Sequence, residues 1–216
     1  CLNSSIDRNY SLMRIKNMTQ NKLSWQNPDS INLLEQALAS DQAVLLSSDT
    51  VLGLSAPLTK SGFETLNRIK GREKKPYLIV LADKQQLGDY CEIPANQAIQ
   101  RLIEKCWPGP LTLILPAKKG IGSHLTHGGT SIAIRIPAHK ELLGLLNRVG
   151  GLFSTSANKA GCAVPETIAL VVIDERTSTL PSTILDCTNA QIHLVREGAY
   201  DRAELEKLSG IIFKKT

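Results

Sequence analysis

Short apolar runs alternate with amphipathic segments along most of this chain. Apolar positions with helical spacing predict helices at 30–40, 61–71, 96–107, 140–150 and 203–208. Continuous or alternating apolar runs predict strands at 43–50, 77–83, 111–117, 131–138, 151–158, 182–188 and 191–198. The connection between the last two strands is short, which predicts an antiparallel pair. We therefore expect an α/β (α+β) fold in which helices flank one twisted, mixed parallel and antiparallel sheet.

Local signals indicate where several of these elements begin and end. Ser61 and Glu64 have the spacing of a capping box, and Gly71 is suited to end the helix that follows them. Asp201 with Glu204 predicts the start of the final helix. Gly53 and Pro57 are interpreted as the end of the first strand.

The ends of the chain and its hydropathy bear on its location. No apolar run approaches the roughly 20 residues that a bilayer span needs, and the first residues lack the apolar centre of a secretory signal. These patterns predict a cytoplasmic protein without membrane contact. Residues 1–24 are polar and aperiodic, so we expect a disordered N-terminal extension there and one domain over 25–216.

Composition narrows the class of partner. The formal net charge of +5 and the pI near 9.0 favour an anionic partner, which leaves nucleotide, RNA or neither open. Aromatic residues make up only 4% of the chain, so there is little material for stacking a single nucleic-acid strand. The five cysteines form no CxxC pair and no zinc spacing, which is typical of reduced thiols.

Four polar clusters stand at strand or helix ends, where α/β proteins hold ligands. They are SSDT (47–50), KGREKK (70–75), TSIAIR (130–135) and STSAN (154–158). Lys70 and Arg72 could bind phosphate oxygens or could simply complement the helix dipole in solvent. The hydroxyls of these clusters could bind phosphate or a small amino acid, or could only satisfy their own turns.

Arg135 interrupts an apolar strand, so its guanidinium needs an anionic or carbonyl partner. That partner could be Asp49, Asp186 or a substrate carboxylate. No histidine stands in sequence beside the hydroxyl residues of these clusters, and the chain has no GxSxG elbow, GxxxxGK[ST] or GxGxxG motif. His124 and His127 are three residues apart, but without a nearby carboxylate or cysteine they favour a solvated loop over a metal site.

The motifs become recognisable as an ordered set. The chain carries, in this order, SSDTVLGL, KGREKKPYLIVL, WPGPLTLIL, TSIAIRIPAH, STSAN, STILD and LVREGA. From about Leu45 to the last helix it resembles the YrdC-type L-threonylcarbamoyladenylate synthases, in their short, single-domain, TsaC-like form. The resemblance implies a concave, electropositive cavity. It also implies an enzyme that condenses L-threonine, bicarbonate and ATP to threonylcarbamoyl-AMP and pyrophosphate, with Mg²⁺ accompanying the ATP. The product serves the N6-threonylcarbamoylation of adenosine 37 in tRNA.

The same resemblance assigns roles to residues. It implies that Lys70 and Arg72 position phosphate, and that Ser131, Ser156, Asn158 and Arg196 line the nucleotide site. The positions implied around threonine are Ser48, Arg135, Ser154 and Ser182. No nucleophile is expected, and the identity of a general base stays open. Expected partners are a tRNA and a tRNA-modifying transferase complex.

Three positions depart from the family pattern and keep other functions open. Leu52 stands where the family often has an aromatic residue, Leu81 where many members have histidine, and Glu73 where proline usually follows the arginine. We expect these changes to affect the cavity wall and the cation loop. The alternatives are an RNA-binding or maturation protein, and a paralogue that uses another amino acid or carbamoyl donor.

Overall fold

The structure is a computed structural model that describes residues 22–71, 76–157, 168–173, 178 and 180–215. The described helices are α1 (Asp29–Ala39), α2 (Lys60–Lys70), α3 (Leu87–Tyr90), α4 (Gln97–Cys106), α5 (Ser123–Thr126), α6 (Lys140–Val149) and α7 (Arg202–Ser209). A short 3-10 turn at Lys84–Gln86 leads into α3. In this part of the chain, no helix combines the length and the apolar character needed to cross a membrane.

The strands form one mixed sheet. They are β1 (Lys22–Leu23), β2 (Val44–Leu46), β3 (Gly53–Pro57), β4 (Leu78–Val80), β5 (Leu111–Pro116), β6 (Ser131–Arg135), β7 (Leu152–Ser156), β8 (Leu170–Val172), β9 (Thr183–Asp186), β10 (His193–Arg196) and β11 (Lys214–Lys215). Their spatial order is β1-β8-β2-β3-β7-β4-β6-β5-β9-β10-β11. Five neighbouring pairs are parallel and five antiparallel, as predicted for a mixed sheet. The predicted antiparallel pair, β9 with β10, is confirmed.

Helices pack on both faces of this sheet. The larger core cluster lies on the first face and includes Leu66 of α2, Leu102 of α4 and Leu205 of α7. The smaller cluster lies on the second face, where Leu34 of α1 and Leu145 of α6 pack against strand residues. Cys91, Cys106 and Cys187 are buried free thiols, and burial raises their pKa to about 11, 11 and 12. Cys106 and Cys187 are therefore small core residues, as their apolar settings predict.

Helix termini follow their predicted signals in two of three cases. Gly71 ends α2 with a left-handed φ of 72°, and the Asp201 side chain accepts from the backbone N–H groups of Ala203 and Glu204. The prediction of a capping box at Ser61 is wrong, because the Thr59 hydroxyl accepts from the Gly62 N–H at 2.9 Å and α2 begins at Lys60. Thr59 has the extended backbone that an N-cap requires.

The structure also contains strands that the hydrophobic pattern does not predict. Gly53 and Pro57 do not end β2; they are the first and last residues of β3. The strand passes close to β7 here, because a Cβ at position 53 would lie 2.9 Å from the Ser154 hydroxyl oxygen. Lys22–Leu23 already pairs with β8, so the folded part begins before the predicted boundary at residue 25. The rest of the predicted extension lies outside the described residues.

Candidate functional site

The pairing register divides the sheet into an apolar face and a partly polar face. One continuous row of paired, buried residues crosses seven strands: Ala56, Phe153, Ile79, Ile134, Leu113, Leu185 and Leu194. The neighbouring row points to the opposite face, because successive side chains in a strand alternate. That row contains Ser55, Ser154, Leu78, Ala133, Ile114 and Asp186. Polar residues therefore collect on the second face.

The helices that the structure describes cover only part of this second face. Under α1 and α6 its residues are apolar, as at Val44, Val80 and Leu152. Beyond that cluster the same face carries the polar side chains Ser55, Thr112, Ser131, Arg135, Ser154, Ser156, Ser182 and Arg196. We call this surface the polar face. Every predicted site residue on a described strand belongs to it, and Ser182 directly precedes β9.

Arg135 of β6 is the centre of a buried hydrogen-bond cluster on the polar face. Its Nη2 pairs with Asp49 Oδ1, its Nη1 donates to Thr50 Oγ1 at 2.5 Å, and its Nε donates to the Gly109 carbonyl at 3.0 Å. The residue is only 4% exposed. Burial lowers the pKa of the guanidinium, whereas the Asp49 carboxylate opposes that shift. Asp49 is thus the structural partner, and Asp186 instead accepts from Thr188.

The contact between Arg135 and Asp49 shapes the site. Asp49 follows β2, and three strands separate β2 from β6 in the sheet. At about 4.8 Å per strand, those two strands would be roughly 19 Å apart in a flat sheet. The contact therefore requires the Ser47–Thr50 loop to lean over the polar face. Ser48 joins this cluster, since its Oγ lies 3.2 Å from both the Thr50 N–H nitrogen and Thr50 Oγ1.

A second cluster lies at the start of β9. Arg196 donates from Nε and Nη2 to the Ser182 carbonyl at 3.1 and 2.8 Å, and the Ser182 hydroxyl lies 2.8 Å from Thr112 Oγ1. Burial and the nearby Arg135 guanidinium both lower the pKa of Arg196. Arg196 is nevertheless an exposed residue. Two guanidinium groups close enough to repel each other indicate a place that favours an anionic ligand.

The loop after Arg196 packs tightly against this cluster. The Gly198 backbone N–H donates to Thr183 Oγ1 at 2.9 Å, and a Cβ on Gly198 would lie only 2.2 Å from the Pro181 carbonyl oxygen.

We expect Gly198→Ala to lower the free energy of unfolding by about 1–3 kcal/mol, because the backbone would have to move. Chemical denaturation measures this effect. Gly144→Ala is the control, since a Cβ on Gly144 meets nothing within 4 Å and alanine favours its helix. Equal effects would contradict the tight packing at Gly198.

A third cluster joins α2 to the end of β7. Lys70 is only 5% exposed, and its Nζ donates to the Ser156 carbonyl at 3.0 Å. It is thus not a solvated charge at a helix terminus. Ser154 and Ala133 both pair with Leu78, so Ser156 and Ser131 lie at the same edge of the sheet, beside the start of β4. The structure brings Lys70, Ser156 and Ser131 to this edge.

The other residues singled out from the sequence do not belong to these three clusters in the structure or are not described by it. Arg72, Glu73 and Asn158 lie outside the described residues, and their predicted roles stay predictions. Leu52 and Leu81 are both buried in the larger core cluster, at 8% and 0% exposure. His124 and His127 pack with aromatic rings of Phe153 and Phe63. Among the described residues, no group of three His, Cys, Asp or Glu side chains could hold a metal ion.

Thr112 and Gly109 contribute to the site without having been predicted from the sequence. Thr112 is a buried polar residue in an apolar strand, which is the signal that identified Arg135. Gly109 offers its carbonyl to Arg135, and a Cβ there would lie 2.3 Å from the Cys106 carbonyl oxygen. The WPGP turn that holds Gly109 contains a cis bond between Trp107 and Pro108.

A separate cleft of about 510 Å³ lies between Glu92–Asn96 and Cys187–Ala190 and includes none of the predicted site residues.

Known proteins share this architecture. The P. abyssi Sua5 structure complexed with L-threonine superposes with a TM-score of 0.81 and 25% identity, over 91% of this chain and 62% of that one. This chain thus spans less than two thirds of that protein. E. coli YciO, at 21% identity, shares the fold with a TM-score of 0.73 over 84% of this chain and 96% of its own.

Sequence comparison leads to the same group. A threonylcarbamoyl-AMP synthase of Idiomarina loihiensis is 34% identical over 161 residues, which cover 67% of this chain and 87% of that protein. The Sua5/YciO/YrdC family model, described as "Telomere recombination", matches residues 36–198, about three quarters of the chain. This chain therefore belongs to the Sua5/YciO/YrdC family.

Proposed function

We propose that this protein is an L-threonylcarbamoyladenylate synthase. It condenses L-threonine, bicarbonate and ATP to threonylcarbamoyl-AMP, pyrophosphate and water. The observation that carries this proposal is the polar face, which holds the Arg135 and Arg196 clusters, together with the Lys70 ammonium group at the adjoining end of β7. The names of the relatives, including a Sua5 structure with bound L-threonine, support the same reaction.

The proposed chemistry requires these residue types. The threonine amine attacks the carbon of carbon dioxide and loses a proton, or attacks the carbon of bicarbonate, from which a C–O bond breaks and water leaves; either route gives a carbamate. A carbamate oxygen then attacks the α-phosphorus of ATP, and pyrophosphate leaves. Carbamate, ATP and pyrophosphate are all anions, so fixed cations and hydrogen-bond donors must hold like charges together in line. The polar face supplies such groups, and no covalent nucleophile is needed.

Each cluster takes part in a different way. We propose that Lys70, which is buried near Ser156 and Ser131, binds phosphate as a point charge, and that Arg72 has the same role. Arg135 has buried partners on three of its nitrogens, so it holds Asp49 and Thr50 in place more than it contacts ligand. Exposed Arg196, with Ser182, can neutralise an anionic group. Ser48 and Ser154 offer hydroxyls to threonine, and Asn158 is proposed for the nucleotide.

Magnesium and macromolecular partners complete the proposal. Mg²⁺ keeps much of its water shell and binds readily through substrate phosphates, so we expect it to enter with ATP. The Arg135 and Arg196 guanidinium groups, with Lys70 at the end of β7, make the polar face a candidate electropositive cavity. The product is to be consumed by a tRNA-modifying transferase complex, with direct tRNA contact as a further expectation.

The test is pyrophosphate release with labelled bicarbonate, ATP and magnesium. We expect release and a labelled AMP-containing product with threonine, and much less with serine or glycine. Release that does not depend on threonine would contradict the synthase. Activity with serine or glycine instead of threonine would favour a paralogue, and salt-sensitive tRNA binding without any activity would favour an RNA-binding protein.

A further inference from the structure

Trp25 is a buried residue beside the proposed site. Its side chain is 6% exposed, and its indole Nε1 donates to Ser47 Oγ at 2.9 Å. Ser47 is fully buried, and its backbone N–H donates to the Val172 carbonyl at 2.8 Å. Ser47 is the first residue of the loop that carries Asp49 and Thr50. The indole thus anchors this loop at the point where it leaves β2.

The same indole contacts the chain on the other side of the Arg135 cluster. Its ring lies 5.4 Å from the His139 ring, centroid to centroid, at an angle of 53°. His139 follows β6 by four residues and caps α6, because its Nδ1 accepts from the Leu142 N–H at 3.3 Å. Trp25 therefore contacts both Ser47, at the start of the loop with Asp49, and His139, four residues after Arg135.

Local sequence alone does not fix the conformation of the Ser47–Thr50 loop. It consists of polar residues, and a short hydroxyl-rich loop can satisfy its backbone in several conformations. A hydrogen bond between two buried side chains selects one of them, since leaving either partner unpaired in the core is costly. Trp25 lies outside residues 36–198, the part that matches the family model.

We propose that Trp25 is a positioning residue for the threonine side of the site. It acts through Ser47 and fixes the loop so that Ser48 and Thr50 face the polar face beside Arg135. This inference rests on the proposed function. No described hydrogen bond or ring contact joins Lys70 to Trp25 or Ser47, so we expect the loss of the anchor to weaken threonine binding more than ATP binding.

The test uses Trp25→Phe, Ser47→Ala and the double variant in the full chain. Trp25→Phe keeps an aromatic ring and removes the donor, whereas Ser47→Ala removes the acceptor. We expect each single variant to raise the threonine Kd about fivefold, as the loss of one buried hydrogen bond implies. The ATP Kd should change less than twofold. The double variant should be little worse than either single variant, because both remove the same bond.

Ser30→Ala is the matched control. Ser30 is fully buried, and its hydroxyl donates to the Ser24 carbonyl at 2.7 Å, so this change also removes a hydrogen bond, a partly buried one, from the N-terminal segment. It contacts neither Ser47 nor His139 through a described hydrogen bond or ring contact. We expect a similar loss of thermal stability with an unchanged threonine Kd.

Calorimetric titration is combined with amide hydrogen exchange of the peptide that contains residues 47–50. Faster exchange there in Trp25→Phe but not in Ser30→Ala, together with selectively weaker threonine binding, is the expected result. Equal weakening of threonine and ATP binding, an equal effect of Ser30→Ala, or no effect of Trp25→Phe would overturn the inference. If the unmodified protein failed to bind threonine, the proposed function would fail, and positioning would stand or fall on the exchange result.

Discussion

Replacing Arg135 with alanine is expected to abolish most threonine-dependent product formation and to destabilise the protein by about 3–5 kcal/mol. The guanidinium is 4% exposed and joins Asp49, Thr50 and the Gly109 carbonyl. Its removal leaves a largely buried carboxylate without its cation. We also expect threonine binding to weaken more than ATP binding, because the Ser47–Thr50 loop loses its contact with β6. Denaturant titration and calorimetry with each ligand measure the two effects.

Two further variants separate charge from geometry. Arg135→Lys keeps the charge but loses the planar fork, so we expect an intermediate loss in both measurements. Arg148→Ala is the control, because that arginine is 46% exposed in its ion pair with Glu35, and exposed pairs contribute little. A stable, fully active Arg135→Ala protein would show that the buried cluster neither supports the fold nor positions ligand.

Replacing Lys70 with methionine is expected to raise the KM for ATP by about 10- to 100-fold, with a smaller change in the threonine Kd. Methionine keeps an apolar chain in the buried site but removes the charged donor, and a hydrogen bond to a charged group contributes about 1.5–3 kcal/mol. The buried Nζ, beside the Ser156 carbonyl, is placed at the edge proposed for phosphate. Steady-state pyrophosphate release at varied ATP measures the effect.

Lys60→Ala serves as the matched control for Lys70. Both lysines belong to α2, but Lys60 is exposed at its first turn, whereas Lys70 is buried at its last. Lys60→Ala should leave the KM for ATP unchanged. An unchanged KM in Lys70→Met would assign phosphate binding to other cations. A KM raised equally by both variants would indicate a general charge effect instead of a specific contact.

Much of the architecture follows from local sequence signals. The predicted helices are present within a few residues of their expected bounds, and β5, β6, β7, β9 and β10 lie within predicted runs. Period-two and period-3.6 patterns are properties of consecutive residues, so they can be interpreted without knowing what each element packs against. The edge strands β1 and β11 have only two residues each, which is too short for such a pattern to develop.

The sequence by itself therefore determined the mixed α/β class, the family resemblance carried by its ordered motifs, and the candidate polar residues at strand ends. Only the tertiary structure decided that Asp49 and not Asp186 pairs with Arg135, that Lys70 is buried against Ser156, and that Leu52 and Leu81 belong to the core. It also placed Thr112 and Trp25 beside the site. The reason is physical: a residue's own neighbours in sequence set its local conformation, whereas its partner across the sheet depends on strand order and register.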